Sequence, residues 1–289
     1  MQTRFKDFEL IKGDPKQLFG SIHRAYDIDF QRNVIIKTVT KSNVIGVESL
    51  NREYSFQLKS KGFPFYFELM DTNEHIMLIS SFIEGTTLDR YWSTIPKKNQ
   101  IKGLKEIVAA LEPLMSVLEL KKIAHCDFKP TNILVNKNES EIELSLIDFG
   151  MALPFYFLGE RKLKFPLGYA APELILNQLD LVNQKTDVFS IGTMIWRLFA
   201  DKMPLSHPNP SIYTNLQLNL PLPENEHVSK ELIEILRNAT KKHAFALPPN
   251  KMDEEVVRQH LNQAIIDRSS FENLFSAIMN LPDKKRWFF

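Results

Sequence analysis

The eight residues His125-Cys126-Asp127-Phe128-Lys129-Pro130-Thr131-Asn132 bring together a carboxylate able to accept a proton, an ammonium cation and an amide able to ligate a metal. Asp148-Phe149-Gly150 adds a second, hard carboxylate, and Ala171-Pro172-Glu173 follows it. Phosphoryl transfer is the chemistry that asks for such a set. It needs metal ions to neutralise phosphate charge, a cation on the phosphates and a carboxylate for the hydroxyl proton, with little covalent work from the protein. A His-x-Asp triplet alone equally describes a solvated polar loop. The whole octapeptide followed by Asp-Phe-Gly is far more specific.

In this order and at these distances the three motifs resemble the signature set of the protein kinase family: a catalytic loop, a metal-binding turn and the anchor of an activation segment. The resemblance covers nearly the whole chain. It implies an α+β, bilobal fold as a single kinase domain over 1–289. A small β-rich N-lobe with one helix (1–80) leads through a hinge (81–85) to a larger, mostly helical C-lobe (86–289). It also implies ATP and Mg2+ as cofactors and a protein as substrate. Asp127 matches the catalytic base, and Lys129 the lysine that Ser/Thr-type kinases place on the transferred phosphate. Asn132 and Asp148 match the two magnesium ligands, an amide oxygen and a hard carboxylate, as magnesium prefers. His125 matches a structural histidine beneath the loop, and Asp187 a buried aspartate that braces it. Lys37 follows the β-branched Val34-Ile35-Ile36 and matches the third-strand lysine that holds the ATP phosphates. Its ion-pair partner is expected in Glu53, with Glu48 second. In the nucleotide site, Gly20 matches the last glycine of the phosphate-covering loop. Ile22 and Ile35 match the roof over adenine and Leu134 its floor. Ser80 matches the residue guarding the back of the pocket, and Ser81 and Phe82 belong to the hinge.

Several positions depart from the family pattern. Pro15 and Gln17 stand where the first two glycines of the phosphate-covering loop belong, and a proline offers no N–H to a phosphate. Ile35 replaces a common alanine beside the small Ser80, which implies a reshaped nucleotide pocket or compensating volumes. Gln57 falls where a packed apolar residue is usual, so either the register slips by one or the packing differs. The arginine that usually pairs with Glu173 is missing, with Lys251 the nearest substitute, and a lysine loses the bidentate geometry. Cys126 stands where many kinases have the arginine that reads a phosphate on the activation segment. The segment from Asp148 to Glu173 contains no serine or threonine, only Tyr156 and Tyr169. Activity independent of Ser/Thr phosphorylation there is the expectation, with Phe155-Tyr156-Phe157-Leu158 ordering the segment by packing or forming a patch for a partner. Cys126 itself reads as packed and inert rather than reactive. Pro166 shapes the substrate platform as in tyrosine kinases. Lys129 argues for Ser/Thr specificity and touches the chemistry, so Ser/Thr is favoured, and dual specificity stays open. Two other readings stay open. A pseudokinase would keep the fold as a binding module, in line with the missing glycines, Ile35 and the missing arginine. A small-molecule phosphotransferase is opposed by Ala171-Pro172-Glu173 and Asp187.

These groups need a scaffold. Residues 33–39, 65–70 and 76–80 read as strands, with a helix over 47–59 between the first two. Helical spacing begins at Leu104 and continues through Leu118, and helices are expected from Leu174 and over 186–200, 229–239 and 253–279. Residues 204–210 and 221–223 are proline-rich loops. The 289 residues are 44% hydrophobic and 25% charged, an ordinary globular composition. A net charge of +1 gives no argument for a nucleic-acid partner. The longest apolar run, 76–83, is too short to span a bilayer, and no signal segment opens the chain. One cysteine excludes an internal disulfide and suits a reducing compartment. A cytoplasmic monomer is the default expectation. The tail Lys284-Lys285-Arg286-Trp287-Phe288-Phe289 either packs back on the large lobe or docks on a partner.

Overall fold

The computed structural model describes residues 4–14, 20–138, 141–159, 165 and 167–283. Pro15, Gln17, Pro166 and the tail from Lys284 lie outside the described residues. The chain divides into two compact units, 1–85 with 145–152 and 86–144 with 153–289. Among the described residues no helix is long and apolar enough to cross a membrane.

The first unit is built on an antiparallel sheet of β1 (Phe5–Gly13), β2 (Ser21–Asp27), β3 (Arg32–Thr40), β4 (Tyr66–Asp71) and β5 (His75–Ser81), in the order β1-β2-β3-β5-β4. Alternation sorts the side chains between its faces. Ala25, Val34, Ile36, Met77 and Ile79 form one core with Phe5. Val39, Tyr66, Ile76 and Leu78 form another around Leu50 of α1 (Val44–Ser55). That helix starts three residues before the expected 47 and stops four before 59. Asn43 caps its N-terminus, its side chain accepting from the Gly46 N–H at 2.9 Å. The backbone beyond Ser55 leaves the helix and reaches a left-handed Lys59 at φ 49°. Gln57 is therefore not on the helix. Phe56 and Phe63 instead set their rings against Phe149, at 6.4 and 5.9 Å between centroids.

In the second unit β6 (Thr86–Thr87), α2 (Leu88–Ser93), α3 (Gln100–Lys121), β7 (Ile123–Ala124), β8 (Ile133–Lys137) and β9 (Ile142–Leu146, whose end passes to the first unit) come first. Then follow β10 (Leu153–Pro154), α4 (Pro172–Ile175), α5 (Gln184–Ala200), α6 (Pro210–Asn219), α7 (Lys230–Ala239), α8 (Glu254–Asp267) and α9 (Phe271–Met279). Helix α5 is buried along almost its whole length, and Asn183 and Thr186 close a capping box at its start. The expected single helix over 253–279 is two. Arg268 adopts an extended backbone, and the Ser270 side chain accepts from the Asn273 N–H to open α9. Helix α6 was hidden by its prolines: Pro210 occupies the first helical position, where a proline's missing N–H costs nothing, behind the Asn209 cap.

Candidate active site

In the first unit, β3 carries Lys37 on the face turned toward α1. The register sets Ile22, Lys37 and Leu78 in one row, and Arg24, Ile35, Ser80 and Tyr66 in the next. Ile22, Ile35 and Ser80 thus share a face with Lys37. The Lys37 ammonium donates to both Glu53 carboxylate oxygens at 2.8 and 2.7 Å, and to Asp148 Oδ1 at 2.9 Å. Burial works against that charge. Asp148 and Glu53 outweigh it and hold the lysine above its ordinary pKa. Glu53, not Glu48, is the partner; Glu48 takes Arg52 one turn along α1 at 2.9 Å. The Tyr66 hydroxyl adds a third donor, to Glu53 Oε1 at 3.1 Å. Nothing in the sequence marked it, because its ring fits the apolar pattern of β4. Burial and then Glu53 push the Tyr66 phenol well above its ordinary pKa.

The remaining nucleotide-site expectations in this unit are also placed. Ser80 is buried. Ser81 exchanges hydrogen bonds with Phe65: its N–H donates to the Phe65 carbonyl and its Oγ accepts from the Phe65 N–H, both at 2.9 Å. The Arg24 guanidinium lies 4.4 Å from the centre of the Phe82 ring. Gly20 is fixed by packing. Its φ is +66°, and a Cβ there would stand 2.1 Å from the Thr38 carbonyl oxygen. Gly20→Ala is therefore expected to cost about 1–3 kcal/mol of stability. A thermal denaturation midpoint equal to that of the parent protein would contradict this.

In the second unit Asp127, Lys129 and Asn132 form a single hydrogen-bonded cluster. Lys129 Nζ donates to Asp127 Oδ2 at 2.6 Å. Asn132 Nδ2 donates to the same oxygen at 2.8 Å and to the Asp127 carbonyl at 3.0 Å. Asp127 and Asn132 are buried. The base of the loop is held by Asp187, which accepts the N–H groups of His125 and Cys126 at 2.7 and 2.8 Å. His125 packs its ring on Phe128 at 5.2 Å and is buried, and so is Cys126. Leu134 follows on β8, opposite Thr87.

The absence of an arginine partner for Glu173 is corrected by the structure. Arg268 donates from Nη1 to Glu173 Oε1 at 2.8 Å and from Nη2 to Oε2 at 3.2 Å, with both side chains fully buried. Lys251 takes no part in this pair. Arg268 also donates to the Lys185 carbonyl at 3.0 Å. The segment Phe155-Tyr156-Phe157-Leu158 is ordered through its backbone more than by side-chain burial. The Phe155 N–H donates to the Lys122 carbonyl and that of Tyr156 to the Val182 carbonyl, both at 2.8 Å, while the side chain of Leu158 is 90% exposed.

The donor chemistry fits the groups a phosphotransferase uses. Lys37 offers a cation for phosphate, and Asp148 offers a carboxylate. Asn132 keeps its amide oxygen, a hard donor, out of the two bonds that its Nδ2 makes. A sheet-and-helix unit bearing a lysine–glutamate pair, and a helical unit bearing this loop, define a kinase-type α+β fold. A protein kinase domain is matched over residues 18–274, and the chain belongs to the protein kinase family. Serine/threonine-protein kinase ULK3 of Xenopus laevis is 28% identical over 253 residues, 81% of this chain and 51% of that protein. CBL-interacting protein kinase 14 of Oryza sativa subsp. japonica is 27% identical over 212 residues, 67% of this chain and 45% of that protein. Serine/threonine-protein kinase dkf-2 of Caenorhabditis briggsae is 23% identical over 206 residues, 70% of this chain and 17% of that protein. The chain spans about half the length of these relatives or less.

Proposed function

We propose that this chain is an active protein kinase that transfers the γ-phosphoryl group of Mg-ATP to serine or threonine hydroxyls of a protein substrate. The observation that carries the reading is the three-way contact of Lys37 with Glu53 and Asp148. In protein kinases the lysine–glutamate pair and the aspartate of Asp-Phe-Gly must both be in place for transfer. In this role Asp127 accepts the proton of the substrate hydroxyl. In the same reading Lys129, bonded to that carboxylate, meets the charge of the group in transit. Lys37 holds the nucleotide phosphates against Ile22, Ile35 and the hinge residues. Asn132 and Asp148 supply the oxygen ligands for magnesium, which neutralises phosphate charge when bound. Ser/Thr specificity is supported by Lys129 and by the names of the relatives. Independence from a Ser/Thr phosphate on the activation segment is supported by the absence of either residue between Asp148 and Glu173.

The test is transfer of label from γ-labelled ATP, with Mg2+, to a generic protein substrate. The parent protein, Asp127→Ala and Asp148→Ala are compared. Label on serine and threonine from the parent alone is the expected result. Equal signal from all three would end the reading in favour of a kinase-fold binding module. Label confined to a small molecule would favour the third alternative. Phosphosites are then mapped on the active protein. Activity that falls when a segment phosphate is removed would overturn the independence from phosphorylation.

A further inference from the structure

The activation segment lacks the residues that carry the usual phosphate, yet its described parts in the second unit are tied down at both ends. Near its start, Leu153 pairs with Ala124 and Pro154 with Ile123. Near its end, three successive residues just before Ala171 are held by side chains. The Gly168 N–H donates to Gln217 Oε1 at 3.1 Å. Ser190 Oγ donates to the Tyr169 carbonyl at 2.9 Å. Gln217 Nε2 donates to the Ala170 carbonyl at 3.4 Å.

Gln217 therefore grips the backbone twice, once as acceptor and once as donor, which a side-chain amide can do and a carboxylate cannot. Its side chain comes from α6, and the residue is 4% exposed. The grip is close. Gly168 has φ +114°, and a Cβ there would meet Met203 Cε at 2.6 Å and the hydroxyl of Tyr213, also on α6, at 3.1 Å. The end of α6 is pinned in turn. The Gln217 carbonyl belongs to the last turn, where helical partners run out, and it accepts from Lys242 Nζ at 2.5 Å. Burial, and then the charge of Arg268, lower the Lys242 pKa to about 7. Asn219 Oδ1 accepts the Phe245 N–H at 2.7 Å.

We propose that Gln217 is a positioning residue for the protein substrate, clamping Gly168 and Ala170 so that the platform ahead of Ala171-Pro172-Glu173 is set without a phosphate. The proposal rests on the reading of this chain as an active protein kinase. Its distinguishing consequence is a loss that falls on the protein substrate and spares the nucleotide.

Gln217→Met keeps the length and packing of the side chain and removes both bonds. It should raise the KM for the protein substrate about tenfold, the scale of losing two hydrogen bonds, and leave the KM for ATP unchanged. Amide hydrogen exchange across 168–171 should accelerate by a similar factor. Asn215→Met, exposed on the same helix, should do neither. An active parent protein whose Gln217→Met variant keeps its substrate KM and its exchange rates would overturn the proposal, as would equal rises in both KM values. A parent protein that transfers no phosphate would sink the kinase reading instead, while the exchange comparison would still test the clamp. Should Gln217→Met fail to fold, Gln217→Glu keeps the acceptor and loses the donor, and serves in the same comparison. Failure of both to fold would make Gln217 a stability residue and end the proposal.

Discussion

Replacing Arg268 by alanine is expected to destabilise the second unit by about 3–5 kcal/mol, the range for breaking a buried ion pair from one side. The expectation follows from what is left behind. Glu173 is fully buried and takes both its arginine bonds from this one guanidinium. Without it a carboxylate remains in a low-dielectric site and the Lys185 carbonyl loses a donor. The Phe189 ring, 5.0 Å from the guanidinium carbon, loses its cation as well. Arg268→Lys should fall between the two states, because an ammonium cannot meet two carboxylate oxygens in parallel. The double variant Glu173→Leu/Arg268→Met should recover much of the loss, since it removes the stranded charge along with its partner. Urea denaturation of the four proteins measures this. A cost below about 1 kcal/mol for Arg268→Ala, the level of an exposed pair, would contradict the burial of the contact.

Arg268 also shows where the sequence stops being readable. Its apolar neighbours keep helical spacing across 253–279, so the position looks like one more helix residue. Only the break between α8 and α9 turns it inward, and the carboxylate it meets is 95 residues away. Gln217 escaped notice for a related reason: α6 begins among prolines, and a lone glutamine has no chemistry to advertise. What could be read was local. The octapeptide from His125 carries its own cluster, because Lys129 and Asn132 reach Asp127 within five residues. Lys37 was marked by the β-branched run before it, and Glu53 by its place on the helix that follows. Strands β3, β4 and β5 were read from their apolar runs, whereas β1, exposed along all but its first residue, offers no apolar pattern to read. The short strands β6 to β10 offer none either, since two to five residues are too few to show a period.

Asp187→Asn is expected to disturb the catalytic loop without emptying the space beneath it. The Asp187 carboxylate binds two successive N–H groups, and the second belongs to Cys126, a non-glycine residue held at φ 61°. Such a conformation costs about 1–3 kcal/mol, which the two bonds to the buried Asp187 carboxyl can offset. Asparagine keeps one acceptor and turns an NH2 toward the other N–H. One bond becomes a clash of donors, and Cys126 is released toward ordinary backbone angles. Asp127 is the next residue, and in its proposed role as base a displacement of about 1 Å costs about 100-fold in rate. Transfer by Asp187→Asn should fall by at least that factor while the KM for ATP holds. A pH series separates this from simple loss of packing. Burial pushes the Asp187 carboxyl up to about 7, against the pull of the two N–H groups and with the charge of Glu173 adding to the rise. The unfolded chain releases this proton near the ordinary carboxylate value, about 3.9. Between that value and about 7 the folded state holds a proton that the unfolded state has lost. The group's contribution to stability is therefore full at the acid end and declines as pH rises, by up to about 1.4 kcal/mol per unit. Asparagine does not titrate. The stability difference between parent and variant should narrow from about pH 5 to pH 7. A difference that stayed flat across this range would mean that the two N–H groups outweigh burial and keep the carboxylate charged throughout.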